Sequence, residues 1–257
     1  MPKLICTDFD GTLNLEHELP PVPDALQDAI EARQGKGDRW MINTGRDMAS
    51  LLEELARSHW RIMPDYLGVV ERELYENQNG HFVPLEPWNR NCTNAHREMF
   101  GRVEHCVPEL FEWVNASFRA MTFADEYSPF CVVAANNDDM DAIEGRMNEF
   151  CRGDSHLNLV RNDVYARFCH EDYTKGTGMA EVARRIGIER DDIMSAGDHL
   201  NDLTMLSDEL AGWLVAPVNA VEAVKDRVRE SGGWVSAFAG GHGVLDGLRE
   251  WLRGETE

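Results

Sequence analysis

The chain has 257 residues, a formal net charge of −21, and 43% hydrophobic and 28% charged residues, so it can bury a large core in one or two domains. The acidic balance argues against nucleic acid and anionic membranes as partners, since both require basic surfaces. No apolar run is long enough to span a bilayer and the six cysteines form no Cys-x-x-Cys pair, which predicts a cytoplasmic protein with reduced thiols.

The first part of the chain alternates predicted strands with predicted helices. Asp24 and Asp47 are suited to cap the two helices at their N-termini. Asn79-Gly80 predicts a hairpin between the segments 73–75 and 81–83. The strands are expected over 3–7, 38–43 and 66–70, and the helices over 24–34 and 48–58.

The pattern changes to helix, two strands, helix and two strands in the middle of the chain. This order is typical of an α+β layer on its own antiparallel sheet. The helices are expected over 94–118 and 138–151, and the strands over 119–124, 130–135, 157–161 and 165–169. Alternation then returns, with helices over 175–186, 201–206, 220–230 and 244–252 and strands over 192–196 and 213–215.

The two alternating parts flank the α+β part. The interval from Arg46 to Lys175 is several times longer than the roughly 30–40 residues of one βα unit. We therefore predict an α/β fold with a Rossmann-like parallel sheet formed by 1–83 and 171–257, interrupted by an inserted α+β domain over 84–170.

Four polar clusters fall at strand ends or helix starts of the predicted core. They are Asp8-x-Asp10-Gly-Thr12, Thr44-Gly45-Arg46, Lys175-Gly176, and Gly197-Asp198-x-x-Asn201-Asp202. In open parallel sheets, ligands bind at the carboxyl ends of the strands, so these clusters are expected to converge. Two carboxylates that share one small space repel each other unless a cation or a proton relieves them. The opening cluster therefore predicts a reaction centre.

In this order, the four clusters resemble the four motifs of the haloacid-dehalogenase (HAD) superfamily. The insertion resembles the caps of its type IIB, Cof-like branch, which includes sucrose-phosphate and trehalose-phosphate phosphatases. Val215-Ala216-Pro217-Val218-Asn219-Ala220 is similar to a late family segment. One departure stands out: many Cof-like proteins have Asn-Gly-Ala where this chain reads Val70-Glu71-Arg72, so no substrate contact is assigned to that loop.

The resemblance implies a phosphatase with Mg²⁺ as its cofactor. Asp8 is the implied nucleophile that forms an aspartyl-phosphate, and Asp10 the general acid and base, protonated in the resting enzyme. Lys175 adds positive charge, and Thr44 binds the phosphoryl oxygens. The implied metal ligands are Asp8, the backbone carbonyl of Asp10, Asp198 and Asp202. The implied substrate-binding residues are Gly11, Thr12, Gly45, Arg46 and Asn201.

Several alternatives stay open at this point. Arg46 either contacts the substrate or pairs with a core acid, and Asp202 holds either Lys175 or a metal-bound water. The expected reaction is hydrolysis of a small phosphomonoester, with a sugar phosphate as the expected substrate class. A sugar phosphomutase shares the Asp8 and Asp10 pair, and a non-catalytic HAD-like binding protein is the rival from another class. The sequence does not indicate an oligomeric state.

Overall fold

The computed structural model describes residues 2–58 and 60–253. It divides into two compact units. The core unit comprises the described residues up to Glu86 and from Thr174 onward, and the inserted unit is Pro87–Tyr173.

Strands and helices are numbered in chain order. The strands are β1 (Leu4–Thr7), β2 (Arg39–Asn43), β3 (Tyr66–Val69), β4 (Glu73–Gln78), β5 (His81–Pro84), β6 (Ala120–Phe123), β7 (Cys131–Ala134), β8 (Leu157–Asn162), β9 (Tyr165–His170), β10 (Ile193–Ala196), β11 (Trp213–Ala216) and β12 (Trp234–Val235). The α-helices are α1 (Asp24–Gln34), α2 (Met48–Arg57), α3 (Trp88–Val103), α4 (Val107–Ser117), α5 (Asn137–Cys151), α6 (Lys175–Ile186), α7 (Glu222–Glu230) and α8 (Gly240–Arg253).

The core unit is built on an eight-stranded sheet with the order β12-β11-β10-β1-β2-β3-β4-β5. The pairs from β12 to β3 are parallel, and β4 and β5 extend that edge as an antiparallel hairpin. β1 and β10 are buried along their whole length, as expected for central strands covered on both faces. α1 packs with α8, and α6 and α7 pack with a 3₁₀ helix over 200–204. The predicted α/β class with a parallel-sheet core is confirmed.

The inserted unit has a four-stranded antiparallel sheet with the order β6-β7-β9-β8. Its own hydrophobic core is built around stacked rings: Phe130 lies 4.7 Å from Phe168, which also stacks on Phe150. Met140, Ile143 and Met147 from α5 are fully buried in this core. Because the unit buries its own apolar face, the α+β pattern in the sequence corresponds to a separate packing unit.

Local signals predicted several boundaries correctly. The Asp47 side chain caps α2 by accepting from the Ser50 amide at 2.9 Å. Gly187 ends α6 in the left-handed conformation with φ 69°, where glycine has no steric penalty. The Asn79-Gly80 turn joins β4 to β5 as predicted.

Other predicted elements were wrong. Asp24 is not an N-cap: Pro23 occupies that position, and Asp24 is the first residue of α1. The single helix predicted over 94–118 is two helices, α3 and α4, separated by a 3₁₀ turn, and α4 has proline in its first turn. Proline lacks the N–H that a continuous helix would need at this point, and its fixed φ suits the start of a new helix.

In the described part of the chain, no helix combines the length and the apolar character that crossing a membrane requires.

Candidate active site

Neighbouring strands bring the acidic residues together. Asp8 directly follows β1, and its backbone N–H bonds to Ala196 at the end of β10 over 2.9 Å. Asp198 follows β10 two residues later, so both acids lie at the carboxyl edge of adjacent parallel strands. Asp8, Asp198 and Asp202 offer carboxylate oxygens that all lie within 4.8 Å of one another. The first and fourth sequence clusters therefore converge, as the topology requires.

Lys175 supplies the positive charge of this cluster. Its Nζ donates to Asp8 Oδ1 over 2.6 Å and to Asp202 Oδ1 over 2.7 Å, and the residue is 1% exposed. The side chain is held at the first position of α6, where Thr174 forms a capping box with Thr177. Asp8 and Lys175 are 167 positions apart in sequence, so only the fold makes this ion pair.

The charges of the cluster do not balance within the protein. Burial raises the pKa of Asp8 well above its usual range, and the nearby Asp202 and Asp198 add to this while Lys175 opposes it. Burial and the Asp202 charge raise the pKa of Asp198 to about 7. For Lys175 burial acts in the opposite direction, but Asp202 and Asp8 outweigh it and raise its pKa. Burial beside other carboxylates thus favours the protonated forms of Asp8 and Asp198, and a bound cation would favour their ionised forms.

Asp202 organises the fourth cluster through its hydrogen bonds. It is fully buried, and Oδ2 accepts from the backbone N–H groups of Asp198 at 2.9 Å and His199 at 3.0 Å. Its other oxygen accepts from Lys175. Of the two sequence-based alternatives, the structure places Asp202 on Lys175. The same contacts fix the loop that carries Asp198.

Thr12 and Gly11 lie against Asp198. The Thr12 hydroxyl donates to Asp198 Oδ1 over 2.7 Å. Gly11 has φ 78°, and a Cβ there would overlap the Asp198 carboxylate, so the Asp-Gly-Thr sequence is needed for close approach of this acid. The resemblance implied substrate binding for both residues, whereas the contact of the Thr12 side chain is with the acidic cluster.

Asp10 adopts a different arrangement from the predicted one. Its carboxylate points to Arg46, which donates from Nε and Nη2 over 2.7 Å each. These two hydrogen bonds hold the Asp10 carboxyl group on Arg46, and Asp10 is not among the acids grouped with Asp8. The repulsion around Asp8 is relieved by Lys175 instead. Arg46 therefore pairs with a core acid, which was one of its two predicted roles.

Thr44 and Gly45 follow β2 at the same edge of the sheet. Thr44 is 1% exposed, its N–H bonds to the Gly68 carbonyl over 2.8 Å, and its hydroxyl accepts from the Arg46 N–H over 3.2 Å. Gly45 is exposed. The second cluster thus presents an exposed backbone segment anchored by a buried threonine.

The sequence reasoning missed Glu71. This buried side chain accepts from Asn201 Nδ2 over 2.7 Å, and its charge contributes to the raised pKa of Lys175. Val70 and Glu71 have φ 46° and 65°, a left-handed conformation that costs on the order of 1–3 kcal/mol for such residues. This conformation is held by two hydrogen bonds, from the Val70 N–H to the Arg46 carbonyl and from the Glu71 N–H to the Thr44 carbonyl. The departure from Asn-Gly-Ala at this loop was the available signal, because glycine normally occupies such backbone conformations.

The donor set fits a hard divalent cation. The carboxylates of Asp8, Asp198 and Asp202 offer only oxygen, which Mg²⁺ prefers. The buried Asn201 Oδ1 has no hydrogen-bond partner among the described residues. The Asp10 side chain is not part of this donor group. The ligand predicted from Asp10 is its backbone carbonyl.

Two polar residues of the inserted unit have structural partners. Asn136 caps α5 by accepting from Asp139 N at 2.8 Å. Arg161 is buried and donates to Asp141 and Glu144 over 2.6 Å each.

Comparison with known proteins gives concordant results. Residues 109–246 match the family model of haloacid dehalogenase-like hydrolases. A Bacillus subtilis protein, 5-amino-6-(5-phospho-D-ribitylamino)uracil phosphatase YcsE, is 25% identical over 97% of this chain and 96% of its own length. The putative phosphatase YxeH of the same organism is 24% identical over 97% of this chain and 98% of its own.

Solved structures share the fold over the whole length. The sucrose-phosphatase of Synechocystis, solved with sucrose and phosphate, has a TM-score of 0.72 at 15% identity and covers 98% of each chain. The subclass IIB sugar phosphatase BT4131 has a TM-score of 0.65 at 20% identity and covers 99% of each chain. The relatives are named phosphatases, which agrees with the predicted enzyme class, a hydrolase of phosphoric monoesters. Since the family model matches more than half of the sequence, the chain belongs to the haloacid dehalogenase-like hydrolases.

Proposed function

We propose that the protein is a Mg²⁺-dependent phosphatase that hydrolyses a small phosphomonoester through an aspartyl-phosphate. The observation that carries this proposal is the buried Asp8 carboxylate, bound by Lys175 and flanked by Asp198. A carboxylate attacks a phosphoryl group only if the charges of both are neutralised, and this cluster is arranged around that requirement.

In the proposed reaction, an oxygen of Asp8 forms a bond to phosphorus as the ester P–O bond breaks. The electron pair of that bond goes to the leaving oxygen, which takes its proton from Asp10. Asp10 then accepts a proton from the water that attacks the aspartyl-phosphate. This second step restores Asp8 and releases inorganic phosphate, so the net reaction consumes one water per ester.

The other residues bind and orient. Thr44 and the Gly45 backbone hold the phosphoryl oxygens, and Lys175 stabilises the charge that develops on them. Asp8, Asp198 and the backbone carbonyl of Asp10 would hold Mg²⁺, which would neutralise the phosphoryl charge. Asn201 and Asp202 keep these groups in place.

Asp10 has to leave Arg46 before it can serve as the acid. The contact with Arg46 is partly exposed, with Asp10 at 40% and Arg46 at 22% side-chain exposure. Water reaches both partners of this partly exposed pair and competes for their charges, so substrate binding can displace it. Arg46 is then free to bind the substrate, which unites its two predicted roles.

A sugar phosphate is the proposed substrate class. One relative that matches 97% of the chain is named for a phosphorylated ribityl compound, and structures with the same fold include a sucrose-phosphatase and a sugar phosphatase. The inserted domain, predicted over 84–170, is proposed as the cap that selects the substrate. All six cysteines are free thiols, which supports the prediction of a cytoplasmic location.

The test is phosphate release from a panel of sugar phosphates, with and without Mg²⁺. The wild-type protein should hydrolyse at least one member only with Mg²⁺, and Asp8→Asn should abolish the activity. Turnover of Asp8→Asn at the wild-type rate would disprove the proposal. Product analysis with a sugar bisphosphate separates hydrolysis from a mutase, because a mutase returns the phosphate to the sugar.

A further inference from the structure

Asn219 lies in the segment 215–220, and the active site described above gives it no role. It is the third residue after β11, which ends at Ala216. Its exposed side chain contacts the turn that follows Asp10, because Nδ2 donates to the Gly11 carbonyl over 2.8 Å. Gly11 and Asn219 are 208 positions apart in sequence, so only the folded chain makes this contact.

Both polar atoms of the Asn219 amide have backbone partners. Besides the bond from Nδ2, Oδ1 accepts from the Gly240 N–H over 2.8 Å. A carbonyl needs a donor and an N–H needs an acceptor, so a single orientation of the amide serves both. Gly240 is buried at the start of α8, and a Cβ there would overlap Leu15. Asn219 therefore connects the Gly11 turn to a helix end that is packed in the core.

Gly11 is the residue of this turn that most needs to be held. Its φ of 78° lies in the left-handed region, and glycine has more backbone freedom than any other residue. The Gly11 N–H donates to the Asn14 carbonyl over 3.0 Å, and the Gly11 carbonyl accepts from Asn219. These two hydrogen bonds restrain the peptide planes before and after Gly11.

The two peptide planes lead to two of the proposed metal ligands. The first carries the Asp10 carbonyl, which points away from the Gly11 N–H because the peptide bond is planar and trans. The second leads to Thr12, whose hydroxyl donates to Asp198 Oδ1 over 2.7 Å. Gly11 itself lies so close to Asp198 that a Cβ would overlap the carboxylate. A rotation at Gly11 would therefore displace the Asp10 carbonyl and Asp198 relative to each other.

The other side of this contact is held from the same part of the chain. Two residues after Asn219, the Val221 N–H donates to the Asp198 carbonyl over 2.9 Å. Asn219 thus holds the Gly11 turn and Val221 holds the Asp198 loop. The separation between the two loops is set by one short stretch of backbone after β11.

We propose that Asn219 is a positioning residue for the divalent cation of the active site. By holding the Gly11 carbonyl, it keeps the Asp10 carbonyl and the Asp198 carboxylate at the separation that Mg²⁺ requires. These two ligands are those of the proposed function, on which this inference rests. Mg²⁺ demands nearly ideal octahedral geometry with bonds of about 2.0–2.1 Å, so small displacements of its ligands cost affinity. Groups that orient metal ligands typically contribute about 10–100-fold to affinity.

The experiment compares Mg²⁺ binding by the full-length wild-type chain and by Asn219→Ala after treatment with EDTA. Affinity is measured by calorimetry and from the increase of the unfolding temperature with Mg²⁺ concentration. Alanine removes both hydrogen bonds without changing the charge, and at an exposed position it leaves no cavity. The Kd for Mg²⁺ should rise by at least about tenfold.

A matched control is available in β4. Asn77 Nδ2 donates to the Pro64 carbonyl over 3.0 Å, and Asn77 Oδ1 accepts from the Gly80 N–H over 2.7 Å. This asparagine therefore joins a carbonyl to a glycine N–H as Asn219 does, but at the hairpin of β4 and β5. Asn77→Ala should unfold at a lower urea concentration than wild type, as Asn219→Ala should, yet keep the wild-type Kd for Mg²⁺ within about twofold.

Asn219→Asp separates the two hydrogen bonds of Asn219. The carboxylate still accepts from the Gly240 N–H, but it cannot donate to the Gly11 carbonyl and repels it instead. The titration is made in about 0.5 M KCl, which screens the attraction between the added charge and the cation. Mg²⁺ should bind this variant more weakly than wild type, and equal or tighter binding would overturn the role of the Gly11 contact.

The outcomes separate this inference from the phosphatase activity. Weaker Mg²⁺ binding by Asn219→Ala, with Asn77→Ala at the wild-type affinity, supports it whether or not a sugar phosphate is hydrolysed. Equal affinity in Asn219→Ala and wild type overturns it and leaves the proposed function standing. An equal loss of affinity in both alanine variants also overturns it, because general destabilisation would then be the cause. Absence of Mg²⁺ binding by wild type would overturn both proposals.

Discussion

Replacing Asp198 by asparagine should stabilise the metal-free protein. Asp198 lies beside Asp8 and Asp202, which take both hydrogen bonds of the Lys175 ammonium, and burial with the charge of Asp202 raises the pKa of Asp198 from 3.8 to about 7. Because the folded-state pKa lies above the unfolded one, the folded state binds an additional proton between these values. The resulting penalty is absent below pH 3.8, grows with pH, and is complete above about pH 7.

The size of the effect follows from two opposing contributions. A shift from 3.8 to about 7 corresponds to about 4 kcal/mol of destabilisation above pH 7, which the neutral amide removes. The substitution also weakens the 2.7 Å hydrogen bond from Thr12, at a cost of about 1 kcal/mol. The net gain at pH 8 is about 3 kcal/mol, or about 6–12 °C in Tm for a chain of this size. At pH 4 the gain should vanish.

The assay is urea and thermal unfolding of both proteins at pH 4 and pH 8, with EDTA and then with Mg²⁺. Wild-type protein should gain stability from Mg²⁺, while the variant gains less because it has lost a ligand. The matched control is Glu209→Gln, an exposed site that should change stability by less than about 0.5 kcal/mol. The reasoning is refuted if Asp198→Asn is less stable than wild type at pH 8 in EDTA, or if any gain is the same at both pH values.

Three further predictions concern other parts of the molecule. Asp10→Asn should slow first-turnover release of the alcohol from a sugar phosphate by about 10²–10⁴-fold, but release of p-nitrophenol from p-nitrophenyl phosphate much less, because that leaving group needs no proton; equal losses in single-turnover assays would contradict the acid role. Glu71→Ala should lower activity at limiting Mg²⁺ by about 10–100-fold, because it removes the acceptor of the Asn201 amide. Glu71→Gln keeps an acceptor and should lose less than about tenfold, and the reverse order in Mg²⁺ titrations would show that the hydrogen bond is unimportant. Asp47→Ala should destabilise the protein by about 1 kcal/mol in urea unfolding, because α2 loses its side-chain cap, and an unchanged midpoint would contradict this.

The sequence predicted best what depends on short stretches of chain. Gly187 ended α6 and Asp47 began α2 because a left-handed cap and a side-chain cap are local features. The sequence failed where a neighbouring residue took the role, as at Asp24, which lies inside α1 after Pro23. It also failed where a proline divided one apolar pattern into two helices, as before α4.

The motifs predicted which residues would converge, but not how they would pair. β1 and β10 had to be neighbours for Asp8 and Asp198 to meet, and the rule that ligands bind at the carboxyl ends of parallel strands supported that expectation. Arg46 had many acidic side chains as possible partners, and sequence spacing could not choose among them. The folded chain selected Asp10 through two hydrogen bonds, an arrangement that a set of motifs does not contain.

By itself, the sequence determined the chemistry: a strand that ends in Asp-x-Asp, a lysine at a helix start and a later acidic loop specify the elements of a phosphoryl-transfer site. Only the tertiary structure decided the electrostatics. Lys175 neutralises Asp8 and Asp202 together, and the strained Val70 and Glu71 backbone delivers a further buried carboxylate to Asn201. The physical reason is that charge pairing and burial depend on distances between segments far apart in the chain, whereas capping and periodicity depend on neighbours.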